Sequence, residues 1–524
     1  MATKSAAKTA NRKTGPKVPG DPIHTGVLII GSGFSGLGMG IELTKQGRSD
    51  FIILEKGDEV GGTWRDNTYP GAACDVPTHL YSYSFEPRSN WQRLWSYQPE
   101  IFDYLREVAE KYDIYKYLSF GKVAERGRWD DDEMRWHIWT ADGQEYVTQF
   151  IVSAIGALHI PSIPNLPGID EFAGRAFHSA QWDHSADLNG KKVAVIGTGA
   201  SAIQFVPQIV DDVTELQLYQ RTPAWVLPRE NLEIPRIVRK ALERVPGLRR
   251  GFRSGLYWGA EAGAYALNNR PALLKVVEIV GKRHIRKQID DPETRRKLTP
   301  NYRPGCKRLL GSNTYYSALN QDKSAVITEG IERVTKTGIV TADGVEREAD
   351  VIIYGTGFHV TDSFESLDIT GRHGADLVTR FRNEGPQALH GISVDGMPNA
   401  FFLLGPNTGL GHTSIIFMIE SQIRYVSEAI RMVGRRGVDA IVPRSEIQTA
   451  YNEQLQQKLS KSVWNTGGCQ SWYLDAHGNN RTLWPGYTWK YWLETRHVAT
   501  EEYEFLNKIS ATKPVDQLAA RSAV

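Results

Sequence analysis

Cysteine is scarce in this sequence, and long apolar runs are missing from it. Three cysteines, Cys74, Cys306 and Cys469, are spread over 524 residues. An odd number at wide spacing, with no CxxC pair, is a poor disulfide framework; it fits a reducing cytoplasm and gives no metal site. The longest apolar runs, such as Val351 to Tyr354 and Phe401 to Leu404, are strand-length, far below the roughly 20 residues that span a bilayer. Excess charge of one sign is lacking too: the formal net charge is +2, too small to argue for a nucleic-acid partner. Residues 1–24 carry Lys4, Lys8, Arg12, Lys13 and Lys17 but no apolar core segment, so they fail as a secretory signal and read as a disordered tail.

What the chain does contain is a nucleotide-binding pattern, written twice. The apolar run Gly26 to Ile30 leads into Gly31-Ser-Gly33-Phe-Ser-Gly36, then a helix-like stretch, then the strand-like Asp50 to Leu54 ending at Glu55. Gly31 permits the tight turn, Gly33 lets backbone approach a pyrophosphate, and Gly36 permits close helix packing, while the helix N-terminus offers free N–H donors. Glu55 would accept from ribose hydroxyls and repel a 2′-phosphate, so this site is expected to hold FAD or NAD rather than NADP. The second copy runs Lys191 to Ile196, Gly197-Thr198-Gly199-Ala-Ser201-Ala, and a strand from Glu215 to Tyr219 that delivers Gln220-Arg221-Thr222 in place of an acid. A guanidinium beside a hydroxyl suits a 2′-phosphate, so NADP(H) is expected here. Lys307 is a candidate further cation for that phosphate.

Two further apolar strands, Phe150 to Ile155 and Asp350 to Phe358, read as crossings between domains. The fold expected is α/β, with two Rossmann-like dinucleotide-binding domains. Residues 25–159 and 350–524 form an FAD domain, interrupted by an NADP domain at 160–349 that itself carries a helical insert at about 231–300. Helices are expected at Arg236 to Arg244 and Leu273 to Ile289, with their Arg and Lys on solvated faces. The aromatic group Tyr257, Trp258 and Tyr265 fits either packing or a substrate-channel wall.

Two nucleotide folds would serve several flavoenzymes, so narrower motifs matter. Phe172-Ala-Gly174-Arg-Ala-Phe-His178-Ser-Ala-Gln-Trp182-Asp183 fills every fixed position of the F-x-G-x-x-x-H-x-x-x-W-(P/D) signature, and here the sequence resembles the type I Baeyer–Villiger monooxygenases. A second family signature matches from Gly61-Gly62-Thr63-Trp64 through Tyr69-Pro70-Gly71 to Asp75. The likeness continues at Gly305-Cys-Lys307-Arg308, at Leu404 to Gly409 and at Cys469-Gln-Ser471-Trp472-Tyr473. One departure is Ala72-Ala73, where some family members carry Arg. The cofactor-contact candidates are Gly31, Gly33, Phe34, Ser35, Gly36, Glu55, Lys56, Thr63, Trp64, Asp75, Tyr81 and Val123 for the first nucleotide. For the second nucleotide and the cleft they are Gly197, Thr198, Gly199, Ser201, Gln204, Arg221, Thr222, Lys307, Asn407 and Trp472.

The resemblance implies a cycle in which NADPH reduces FAD, O2 forms a peroxide at the flavin C4a carbon, and that peroxide adds to a ketone to give a tetrahedral peroxy adduct, which rearranges to an ester or lactone. It implies Arg308 as the catalytic cation and Asp75 as the carboxylate that orients it, their alternative being a purely structural ion pair. For Phe172, Gly174, His178, Trp182 and Asp183 it implies a linker coupling nucleotide binding to domain movement, in preference to a general-base role for His178. It places a lid around Thr466 to Tyr473. The partners expected are a small-molecule ketone and O2, with self-association into a homo-oligomer left open. N- or S-oxygenation is the alternative activity, and a non-catalytic redox-sensing flavoprotein is a third reading.

Overall fold

The structure is a computed structural model that describes residues 20–360, 363–469, 471–475 and 477–508. The expected tail at residues 1–19 lies outside the described residues. The first strand starts at Ile23, where Ile23 and His24 already pair with Tyr146 and Val147, so the tail ends before the expected residue 24.

The β-branched run of Ile23–Ile30 has no polar side chain to solvate at Val27 to Ile30 and is buried there, as expected for a central parallel strand covered on both faces. It lies between Phe51–Leu54 and Glu145–Ser153 in an eight-stranded sheet. The helix Phe34–Lys45 leaves the strand through Gly31, whose φ of +103° suits glycine. A Cβ at Gly36 would stand 1.8 Å from the Gly31 carbonyl oxygen, so helix and turn close only around a hydrogen atom. On its outer face the helix packs against the long helix Ile415–Arg436.

A second sheet of five parallel strands runs Ser324–Ile327, Glu215–Tyr219, Lys192–Ile196, Val351–Tyr354, Arg175–His178. This corrects the expected boundary at residue 350. Val351–Tyr354 pairs with Lys192–Ile196 and Arg175–His178, so the chain rejoins the first sheet only later, at Asp368–Thr370 and Ala400–Phe402. A short buried run closing on glycine fits either sheet, and only strand pairing tells them apart. The insert forms helices Arg236–Arg244, Leu248–Asn268, Lys275–Gln288 and Pro292–Leu298.

Cys306 and Cys469 form a disulfide, against the reading of the three cysteines as a poor disulfide framework in a reducing cytoplasm. Their separation of 163 residues carries no information about distance in space, and folding brings their Cα atoms to 6.1 Å. Cys74 is free and buried. No helix among the described residues is long and apolar enough to cross a membrane, and none of their His, Cys, Asp and Glu side chains form a metal-binding group of three or more.

Candidate active site

The first cradle opens at the N-terminus of Phe34–Lys45, where Gly33 is the N-cap and no side chain caps the free N–H groups. Across the opening stands Gly62, itself at positive φ: a Cβ added there would meet the Gly33 Cα at 3.1 Å. The two side-chain-free backbones therefore pack against each other, and no side chain bonds the helix-end N–H groups that a pyrophosphate would use. Glu55 is buried at the strand end, where it accepts from Ser32 N (3.0 Å), Ser32 Oγ (2.6 Å), Gly57 N (2.8 Å) and Arg65 (2.7 Å). Burial raises its pKa, but those donors prevail and hold it below the ordinary value, so it is a carboxylate. Arg65 was missed from sequence; its signal was a cation directly after the motif tryptophan and ten residues beyond the acid.

Around this cradle Phe34 is buried edge-on to Tyr81 and Tyr83, Ser35 is buried in the first turn, and Trp64 Nε1 donates to Tyr81 Oη at 3.0 Å. Thr63 begins the short helix Thr63–Asp66. Lys56 lies 3.9 Å from Asp66, and Val123 is exposed at the edge of the fold.

Asp75 and Arg308 meet although 233 residues separate them. Nε donates to Oδ2 at 2.5 Å and Nη2 to Oδ1 at 2.8 Å, while Nη1 donates to the Leu410 carbonyl at 3.3 Å. This is a fork-to-fork pair. Asp75 raises the Arg308 pKa above its already high value, whereas burial would lift that of Asp75 but is outweighed by Arg308. Both groups are therefore charged at any working pH. Tyr473 is buried near Arg308, its phenol pushed up to about 12 by that burial. Arg229, also missed from sequence, is near enough to interact electrostatically with Asp75 and Arg308; its guanidinium lies over the Trp95 ring at 5.6 Å and makes no ion pair among the described residues.

Residues 28–245 match the family model for pyridine nucleotide-disulphide oxidoreductases. A Baeyer–Villiger monooxygenase of Pseudomonas aeruginosa PAO1 is 48% identical over 481 residues, covering 92% of this chain and 91% of that protein. The chain belongs to the Baeyer–Villiger monooxygenases. The fold is shared with cyclohexanone monooxygenase of Rhodococcus sp. Phi1 bound to NADP+, at a TM-score of 0.84 and 26% identity over 93% of this chain and all of the other. OTEMO in complex with FAD and NADP superposes with a TM-score of 0.83 at 26% identity, covering 92% and 99% of the two chains.

In this Baeyer–Villiger monooxygenase the second cradle repeats the first. Gly199 caps the helix Ala200–Ile209 with no side-chain bond to its free N–H groups, Gly197 precedes it at φ +109°, and Ser201 lies in the first turn. Thr198 Oγ1 donates to the Thr222 carbonyl at 3.0 Å, which fastens the glycine turn to the strand end that carries the exposed Arg221. Burial lowers the Lys307 pKa and Arg221 lowers it further, so the two cations sit within range of each other. The Gln204 amide bonds Tyr69 Oη (2.8 Å), Ala73 N (3.2 Å) and Ala73 O (3.0 Å), holding the second fold to the loop that bears Asp75.

The linker residues come together at one edge of the second sheet. Gly174 is needed because a Cβ would stand 2.3 Å from the Asp350 carbonyl oxygen and 2.7 Å from the Phe172 ring. His178 is buried at the end of its strand, accepts from Ala180 N at 3.0 Å, and has its pKa lowered by burial. Trp182 packs on Phe177 and Phe205, and Asp183 pairs with Arg175 at 2.7 Å. Asn407, at φ +57°, is buried and donates to the Asn480 and Leu483 carbonyls, leaving Oδ1 without a partner among the described residues. Trp472 is half exposed, in edge contact with Tyr473.

Proposed function

We propose that the chain converts a ketone, NADPH, H⁺ and O2 into an ester or lactone, NADP⁺ and water, with Arg308 and Asp75 as its catalytic pair. The observation that carries this is the doubly hydrogen-bonded Asp75–Arg308 contact, which joins the loop of one nucleotide fold to a segment of the other, between its helical insert and the strand Ser324–Ile327. The cradles fit both cofactors: each has an uncapped helix N-terminus behind a glycine turn, one with a buried carboxylate at the ribose position and the other with the exposed guanidinium of Arg221. FAD supplies the activated oxygen once NADPH has reduced it.

The protein's own work is then electrostatic. Arg308 keeps its charge at any working pH and stabilises negative charge on the oxygen that attacks the carbonyl, while Asp75 fixes the plane of the guanidinium. Arg221, Thr222 and Lys307 bind the 2′-phosphate, and Gly31, Gly33, Gly36 and Glu55 hold FAD. The free Oδ1 of Asn407 is a buried acceptor that a ring N–H of the flavin would satisfy. His178 and Trp182 act as a linker, since a ring enclosed by its own strand end and a tryptophan packed across a helix transmit position rather than protons. Residues from about 25 to 159, together with those after Tyr354, form the FAD domain, and the segment between them forms the NADP domain. Trp472 and its loop cover the cleft.

The test is to supply NADPH with a ketone and a thioether together and identify the products. Ester in excess is expected; sulfoxide in excess would replace this reading with heteroatom oxygenation.

A further inference from the structure

The segment from Arg236 to Arg253 is the most basic stretch of the helical insert: seven cations against a single Glu243, in a chain whose formal net charge is only +2. Arg236, Lys240, Arg244 and Arg250 are exposed and make no ion pair among the described residues, so their charge faces solvent; Arg239 and Arg249 are partly buried, and Arg249 acts on the buried His79. Apolar side chains stand between them. In the helix Arg236–Arg244 only Leu242 is buried, whereas Ile237 is 77% exposed, and after the Pro246-Gly247 corner Val245 and Leu248 are exposed as well.

The next helix, Leu248–Asn268, extends the same surface. Its inner face is tied down: Arg253 donates to the Ser82 carbonyl, Tyr257 Oη meets Thr488 Oγ1 at 2.9 Å, and buried Glu261 accepts from Thr488. Its outer face is bare. A Cβ added at Gly251, Gly255 or Gly259 would touch nothing within 4 Å, and Trp258 beside them is 58% exposed.

We propose that this basic, apolar-tipped helical corner docks the enzyme reversibly on an anionic phospholipid surface. Unpaired cations around protruding aliphatic side chains, with a tryptophan alongside, are the arrangement by which a helix lies in a lipid headgroup layer without crossing it. Charge decides among occupants. A second copy presenting the same face would set one cationic patch against another. A nucleic acid would engage the arginines and leave Ile237, Val245 and Leu248 in water.

The experiment uses the full-length FAD-loaded enzyme and vesicles of phosphatidylcholine, alone or mixed with phosphatidylglycerol, in a sedimentation assay at low and high salt. Binding is expected only to the mixed vesicles and is expected to fall as salt rises. The triple variant Arg236→Gln, Lys240→Gln, Arg244→Gln should lose about 100-fold in partitioning, at about fivefold per cation. Ile237→Ser with Val245→Ser should weaken binding at unchanged charge. Both variants should oxidise a small water-soluble ketone normally, which shows that the fold survives. Absence of binding to the mixed vesicles, equal binding to the two lipid compositions, or binding that both variants leave intact would each overturn the proposal. So would tighter association with double-stranded DNA, or with a second copy of the chain, than with the mixed vesicles.

Discussion

Replacing Arg308 by Ala separates the two halves of the catalytic cycle, and the structure sets the size of the effect. The side chain makes two hydrogen bonds to Asp75 and one to Leu410, so its removal deletes the fixed cation and leaves a half-buried carboxylate unpaired. Losing one preorganised donor to a developing anion costs about 2.7–4 kcal/mol, or 10²–10³ in turnover. The stability penalty is smaller. With side-chain exposures of 35% and 26%, solvent screens the pair, and breaking it should cost about 1–2 kcal/mol, well below the 3–5 of a fully buried pair. The variant should therefore fold and bind flavin. Mixed anaerobically with NADPH it should bleach the flavin within a few-fold of the parent rate, and with O2 and a ketone it should consume NADPH while releasing hydrogen peroxide in place of ester. Arg308→Lys, which keeps a charge but loses the fork, should fall between the two. A normal ester yield per NADPH would remove Arg308 from oxygenation; a loss confined to flavin reduction would reassign it to nicotinamide binding.

Arg221→Ala should weaken NADPH use by about 1.5–3 kcal/mol, roughly 10- to 150-fold in kcat/KM, with NADH little affected; an unchanged coenzyme preference would refute the 2′-phosphate assignment. Gly36→Ala should give protein without the yellow of bound FAD, because the new methyl group meets the Gly31 carbonyl oxygen; full flavin occupancy would show that the turn can relax. His79 is buried with neither ring nitrogen hydrogen-bonded among the described residues, and burial, then Arg253 and Arg249, lower its pKa to about 4. Its neutral form is favoured in the folded state, so stability is complete above the unfolded value of 6.5 and is lost as pH falls toward 4, by about 3 kcal/mol in all. His79→Leu should flatten that acid limb in denaturant titrations between pH 6.5 and 4, and an unchanged limb would count against it.

Both nucleotide cradles were legible in the sequence because their information is local. Strand, glycine turn, helix and a discriminating residue follow one another within about thirty positions, and the structure shows each in that order. Two of the four insert helices were legible from their composition, Arg236–Arg244 at the expected residues and Lys275–Gln288 within the expected run, whereas the longest, Leu248–Asn268, and Pro292–Leu298 were not. The Asp75–Arg308 contact rested on family likeness alone, since no local rule relates residues 233 apart. The Cys306–Cys469 bridge and the sheet chosen by Val351–Tyr354 were misread, and the contacts of Gln204 to Tyr69 and Ala73 went unread, for one shared reason. Each depends on which distant segment arrives beside it, and hydrophobic period does not encode that.

The return of the chain to its first sheet has a consequence for biosynthesis. Ala400–Phe402 completes the layer begun by Glu145–Ser153, pairing with Ile151 to Ser153. At roughly 5–20 residues per second a ribosome needs on the order of ten to fifty seconds to travel between them. During that interval the nascent layer keeps an unpaired margin of backbone donors and acceptors while the second nucleotide fold, complete by Tyr354, is already free to form. The inner unit is thus positioned to fold before the one that encloses it, and a message truncated before residue 402 would yield a finished second fold attached to an open, aggregation-prone edge.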